Sequence, residues 1–199
     1  MIAEIAKKRP TIHDTAYIAP NAMVAGDVTV GPHTRVLFGA QLIAEGGAIR
    51  IGRECVIMEN AVLRSTARHA LALGDNCLVG PNAHVVGCTI QDRVFIATGA
   101  CIFHAANIAS DCEVRINAVV HLKTRLEKGT VVPIGWVAVG APATILPPGQ
   151  HDAIWKAQEP LNFPQTVYGI PRAEATTDAI TRYLCGALPS DIVPIDEDR

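Results

Sequence analysis

Seven histidines, His13, His33, His69, His84, His104, His121 and His151, are the side chains of this 199-residue sequence best suited to proton transfer near neutral pH or to metal ligation. The six cysteines, Cys55, Cys77, Cys88, Cys101, Cys112 and Cys185, contain no CxxC pair, so neither a zinc knuckle nor a redox dithiol is spelled out. Arg64, Arg68 and His69 form a compact basic cluster that could hold an anion or merely keep a loop soluble. Glu45 is the acid beside the Gly46-Gly47 loop. An imidazole acting as a base needs a pKa near the working pH and hydrogen-bond reach to its substrate. Which histidines can meet that condition depends on the framework that carries them.

That framework is a hexapeptide repeat. Aliphatic residues recur every six positions at Ile12, Ile18, Val24, Val30, Val36 and Leu42, resume at Ile51, Ile57 and Leu63, and again at Leu73, Val79 and Val85. A five-residue step then reaches Ile90, and sixes continue from Ile96 to Val132. Four positions after most of these slots stands a small residue, among them Ala16, Ala22, Thr34, Ala40, Cys55, Ala61, Cys77, Ala83 and Cys112. A large inward side chain alternating with a small one at period six is a β-solenoid signature. Neither a helical period nor plain strand alternation yields it. With roughly 18 residues to a triangular coil, the run from Ile12 to about Ala143 predicts an all-β parallel solenoid of about seven coils. Cys55, Cys77 and Cys112 take the small slot and read as packing, whereas Cys88 and Cys101 fall outside it. His84 directly precedes the inward Val85, so alternation points it outward.

The spacing divides the chain into a lead-in over 1–11, the solenoid over 12–148 and a helical extension over 149–199, the period stopping at Pro147-Pro148-Gly149. In the extension a short helix is expected around Asp152 to Gln158, then an extended segment through Pro160 and Pro164 to Pro171. A second helix from about Glu174 to Leu188 puts Ile180, Tyr183, Leu184, Ala187 and Leu188 on one stripe, the spacing of a helix docked on a surface. The acidic end, Asp191 to Arg199, is expected to fray. Lys and Arg number 17 against 19 Asp and Glu, a net charge of -2 that excludes a basic nucleic-acid stripe. The longest uncharged stretch, Thr130 to Gln150, is broken by prolines, so no membrane span is expected. No apolar leader follows Lys7, Lys8 and Arg9, and the chain is expected in the cytoplasm with its thiols reduced. Leu37, Phe38, Leu42, Ile43 and Phe103 are expected to form an outward apolar wall that other subunits cover.

The repeat resembles the hexapeptide-repeat superfamily, and the resemblance implies a left-handed β-helix, a hand that periodicity cannot supply. Within the superfamily, Leu73-Gly74-Asp75-Asn76-Cys77-Leu78-Val79-Gly80, Val85-Val86-Gly87-Cys88-Thr89-Ile90 and Val139-Gly140-Ala141-Pro142-Ala143 resemble the gamma-class carbonic anhydrase group over roughly residues 10–150. That resemblance implies a homotrimer with zinc between subunits, held by three histidines of which one comes from a neighbour. The positions it assigns to them hold Arg64, Pro81 and Val86, none of which can donate to zinc, so zinc is not expected. The family's supporting glutamine, asparagine, arginine and aspartate fall at Met58, Val56, Leu42 and Ala44, and Glu45 keeps an acid near the proton-shuttle position.

Counted back from the next aliphatic slot, His104 is four before Ile108 as Val86 is four before Ile90, which stacks it one coil above the lost third ligand. His104 is therefore the first candidate base and His84 the second, with Arg64, Arg68, His69 and Glu45 as candidate ligand-binding residues. Because hexapeptide-repeat relatives include CoA-dependent acyltransferases with a histidine base, the resemblance implies a metal-independent acyl or related group transferase. Its small-molecule ligand, a coenzyme A thioester for instance, would lie between subunits. A non-catalytic structural or binding trimer is the alternative, and a zinc carbonic anhydrase with a rebuilt metal site is a third, less favoured one.

Overall fold

A computed structural model describes residues 1–195. The hexapeptides fold as short strands on three faces, each ladder pairing residues about one coil apart. Among the described residues two faces carry seven parallel strands each, and the third carries ten, of which two are antiparallel, leaving eight parallel ones. The architecture is a parallel β-solenoid of about eight turns. Many corners place a residue in the left-handed conformation, which asparagine tolerates well; Asn60, Asn82 and Asn117 adopt it at φ 57°, 56° and 55°.

The alternation of large and small slots builds the core. Leu42, Ile57, Leu63, Val79, Val85, Ile96, Ile102 and Ile108 are all fully buried, as are Ala22, Ala40, Ala61, Ala83 and Ala100 at the tight corners. Where a polar or sulfur atom takes the small slot, it finds a backbone carbonyl. Thr34 Oγ1 donates to the Gly52 carbonyl at 2.8 Å, and the Cys55, Cys77 and Cys112 thiols each reach a carbonyl at 3.1 Å. Cys88 is also inside, and burial pushes its thiol up to about 12.

The apolar wall expected around Leu42 differs from the one observed. Leu42 and Ala44 point into the coil, Ile43 packs on Ala3, Ile5 and Ala25, and Phe103 lines a cavity. Phe38 alone of that group is strongly exposed, at 53%. The open apolar surface lies elsewhere, around Phe95, Ile116 and Ile134.

After the last parallel strand of the ten-stranded face, Thr144–Leu146 turns back antiparallel on Val137–Val139. Helix α1 (His151–Gln158) follows. The segment expected to be extended is a 3-10 turn, Glu159–Leu161, and helix α2 (Phe163–Val167). Pro160 and Pro164 both stand in the first turn, where a missing N–H costs nothing, so they start helices here instead of breaking them. Helix α3 (Thr177–Ala187) is capped by Thr176, whose hydroxyl accepts from the Ala179 N–H. The acidic end does not simply fray. Ile192–Pro194 pairs antiparallel with the first strand, Ile2–Ile5, while residues 196–199 lie outside the described residues. Among the described residues no helix is long and apolar enough to cross a membrane.

Candidate functional site

Three breaks in the six-residue period meet at one corner of the ten-stranded face. The strands Gln41–Glu45 and Val62–Thr66 run longer than the others and stack in register, with Arg64 beside Ile43 and Thr66 beside Glu45. The two insertions that follow pack on each other: Thr66 and His69 exchange backbone hydrogen bonds at 2.9 and 3.0 Å, and Ser65 Oγ donates to the Gly47 carbonyl. One coil further on, the five-residue step leaves Gly87 under His69 at φ 50°, where an added Cβ would stand 2.5 Å from the His69 Cβ. This irregular corner carries a cavity of about 360 Å³.

Its floor is polar. Arg64 Nη2 donates to both carboxylate oxygens of Glu45 at 2.7 Å. His84 flanks the pair, and burial followed by the Arg64 charge lowers its pKa. His104 is only 7% exposed. Burial first, then the nearby His69, Arg64 and His84, push it down to about 4 from 6.5. Arg64 Nε, Thr66 Oγ1 and His104 Nδ1 are buried without a hydrogen-bond partner among the described residues. The roof is the tail: Phe163 and Val167 of α2, Tyr168 just after it, and Tyr183, Leu184 and Leu188 on the stripe of α3.

Four of the six candidate site residues, His104, His84, Arg64 and Glu45, line this one cavity. Arg68 and His69 do not. The Arg68 guanidinium lies against Gly169, and the His69 ring hydrogen-bonds the Thr166 carbonyl at 3.2 Å, so both hold the tail. Arg64, Arg68 and His69 thus face different partners, Arg64 the Glu45 carboxylate and the other two the tail. The position of His104 also differs from the one counted. Val85 pairs with Ile102, so Phe103 is the residue above Val86, and His104 sits in the turn above Gly87, to whose carbonyl the Ala105 N–H donates. The shortened step removes its residue after the strand, which makes counting from the following slot one position out. Thr66, Phe163 and Tyr168 were not singled out from sequence; the clue to Thr66 is the coincidence of the three period breaks.

A second cavity, about 520 Å³, lies between His121 and the tail residues Trp155, Phe163 and Arg172. A third, about 620 Å³, is an open groove of Met58, Leu78, Pro81, Phe95, Ile116 and Ile134. Among the described residues no three His, Cys, Asp or Glu side chains are grouped to hold a metal ion.

Between pH about 6.5 and about 4 the unfolded chain carries a proton at His104 that the folded chain does not, so stability rises with pH across that window. The thermal midpoint is expected to fall as pH drops from about 6.5 toward about 4. His104→Asn should flatten that slope relative to the unaltered protein. An unchanged slope would assign the effect to His84 and His121, which burial also lowers.

No protein-family model matches the chain. It is 29% identical over 130 residues to gamma carbonic anhydrase 1, mitochondrial, of Arabidopsis thaliana, covering 62% of this chain and 47% of that protein. With the probable carbonic anhydrase of Methanocaldococcus jannaschii it shares 31% over 85 residues, 43% of this chain and 54% of the other. The chain spans about half the length of the curated relatives it matches. Among solved structures, a putative acetyltransferase of Bacillus cereus superposes with a TM-score of 0.47 at 22% identity, covering 80% of this chain and 91% of that one.

Proposed function

We propose, from the premise that the chain is a gamma carbonic anhydrase-like hexapeptide-repeat protein, that it is a zinc-free group transferase whose acyl-type substrate reacts in the cavity beneath the tail. The observation that carries the reading is the meeting of three buried, unpartnered polar atoms, Arg64 Nε, Thr66 Oγ1 and His104 Nδ1, on residues lining one cavity. In this reading an acceptor hydroxyl or amine attacks the thioester carbonyl carbon and gives its proton to the neutral His104. The Arg64 and Thr66 donors hold the carbonyl oxygen as it gains negative charge, the carbon–sulfur bond breaks, and the thiolate takes the proton from His104. The charge developing on that oxygen raises the proton affinity of the imidazole beside it. His84 is the second candidate base.

At about 360 Å³ the cavity is near the small end of the roughly 300–1,000 Å³ range of small-molecule sites, so it suits the acyl end of a carrier, not a whole coenzyme. The test is a panel of acyl-CoA thioesters with amine and alcohol acceptors, following free thiol. Saturable, protein-dependent release is expected. Its absence with every donor overturns the reading.

The donors present do not suit zinc. Arg64 and Val86 are paired neighbours on the cavity floor, and Pro81 lies in the open groove instead. A guanidinium held by Glu45 offers no lone pair to a cation. Metal analysis is expected to find well under one zinc per chain, with no carbon dioxide hydration. Stoichiometric zinc with chelator-sensitive hydration would reverse this.

A non-catalytic trimer is favoured by a different observation, the groove in which Phe95, Ile116 and Ile134 are 42%, 44% and 60% exposed. Exposed apolar patches of this kind mark interfaces, and a homotrimer closing over the groove accompanies either reading. Sedimentation should show a trimer that Ile134→Glu dissociates; a stable monomer at micromolar concentration would exclude it. All six cysteines are free, which suits a reducing compartment, the cytoplasm in this reading.

A further inference from the structure

We propose that the cavity under the tail selects a neutral carbonyl compound with an apolar body, an amide, ester or thioester, and rejects the matching carboxylate. The proposal rests on the same cavity as the transferase reading and names its ligand class.

The charge on the cavity wall sums to nothing. Among the described residues Arg64 and Glu45 are the only Arg, Lys, Asp or Glu side chains lining it, and they satisfy each other through both carboxylate oxygens. The two lining imidazoles, His84 and His104, are both shifted toward the neutral form by burial. Among the described residues the covering elements add no balancing cation. On α3 Asp178 and Arg182 pair with each other in solvent, and Arg68 is taken up against Gly169. A carboxylate entering here would leave its hydration behind and meet the Glu45 carboxylate beside a guanidinium already shared, which is costly in a partly dry site.

A carbonyl oxygen meets the opposite situation. Two residues lining the cavity carry donors without a partner among the described residues, the Arg64 Nε–H and the Thr66 hydroxyl, which a carbonyl oxygen seated against these side chains would satisfy. His104 Nδ1, also unpartnered, can accept from an amide N–H when the imidazole carries its proton on Nε2. Val167, Leu184 and Leu188 with the Tyr168 and Tyr183 rings, 6.0 Å apart, supply the apolar roof for the rest of the molecule.

Benzamide and benzoate, nearly equal in shape, separate the two cases by titration calorimetry. Benzamide is expected to bind saturably and at least about tenfold more tightly than benzoate. Glu45→Gln leaves the Arg64 charge unbalanced and should invert that order. Thr66→Val, which removes one donor while keeping the shape, should weaken benzamide, so the proposal remains testable where Glu45→Gln fails to fold. Leu184→Trp, which fills the roof, should remove both. Benzoate binding as tightly as benzamide, an order unchanged by Glu45→Gln, or no saturable benzamide binding overturns the proposal. Benzamide binding without thioester turnover sinks the transferase reading alone, and turnover without discrimination sinks this one alone.

Discussion

His104→Asn is expected to lower the proposed thioester turnover by about 10²–10⁴-fold, the usual worth of a positioned general base, while leaving the coil intact. The substitution is close in size, and the backbone bonds that fix this turn, Ala105 N–H to the Gly87 carbonyl and Lys123 N–H to the His104 carbonyl, do not involve the side chain. Asparagine keeps a hydrogen-bonding end but cannot take up a proton, so binding of a neutral amide should survive while turnover does not. That split is what a merely structural histidine would not give. Loss of thermal stability in parallel with activity would assign His104 to packing against His69, whose ring centroid is 5.4 Å away.

Leu63→Ala is expected to cost about 2–5 kcal/mol in chemical denaturation, the range for emptying a fully buried leucine site. Leu63 is completely buried, between Leu42 of one coil and Val85 of the next. A solenoid coil touches only its neighbours, so no distant element can move in to fill the space. The same coil carries Arg64 and Thr66, so benzamide affinity should fall with stability. Leu188→Ala in the tail, where the side chain is 44% exposed, should cost under about 1 kcal/mol. A loss at Leu63 no larger than that would mean that the coil collapses inward to heal the gap.

The solenoid was legible because its rule is written in every turn: Ile57, Leu63, Val79 and Val85 sit where the six-residue step puts them, and Cys55 and Cys77 fill the small slots as packing. The step also gave His84 its outward side. What was not legible follows from the places where the rule is suspended. Leu42 was read both as an inward slot and as part of an outward wall, and only the pairing with Leu63 separates these. His104 moved by one position because a deletion in a repeat can be charged to either side of a corner, and hydrogen bonding charges it to the Gly87 side. Pro160 and Pro164 read as breakers because the same residue ends one helix and begins another. The roof over the cavity could not be foreseen, since the stripe on α3 says that it docks without saying where.

The tail leaves the last coils, passes over the cavity and finishes against the first strand, so Ile2–Ile5 is flanked by Met23–Ala25 on one side and Ile192–Pro194 on the other. An open stack of repeats can peel from either end, one layer at a time, because each layer answers only to its neighbours. Here the outermost layer at one end is buckled to the segment that departs from the other. Peeling at the first coil must therefore unfasten the belt as well, and with it the lid of the site. Opening of the first coil is thereby tied to release of the segment that follows the cavity's roof.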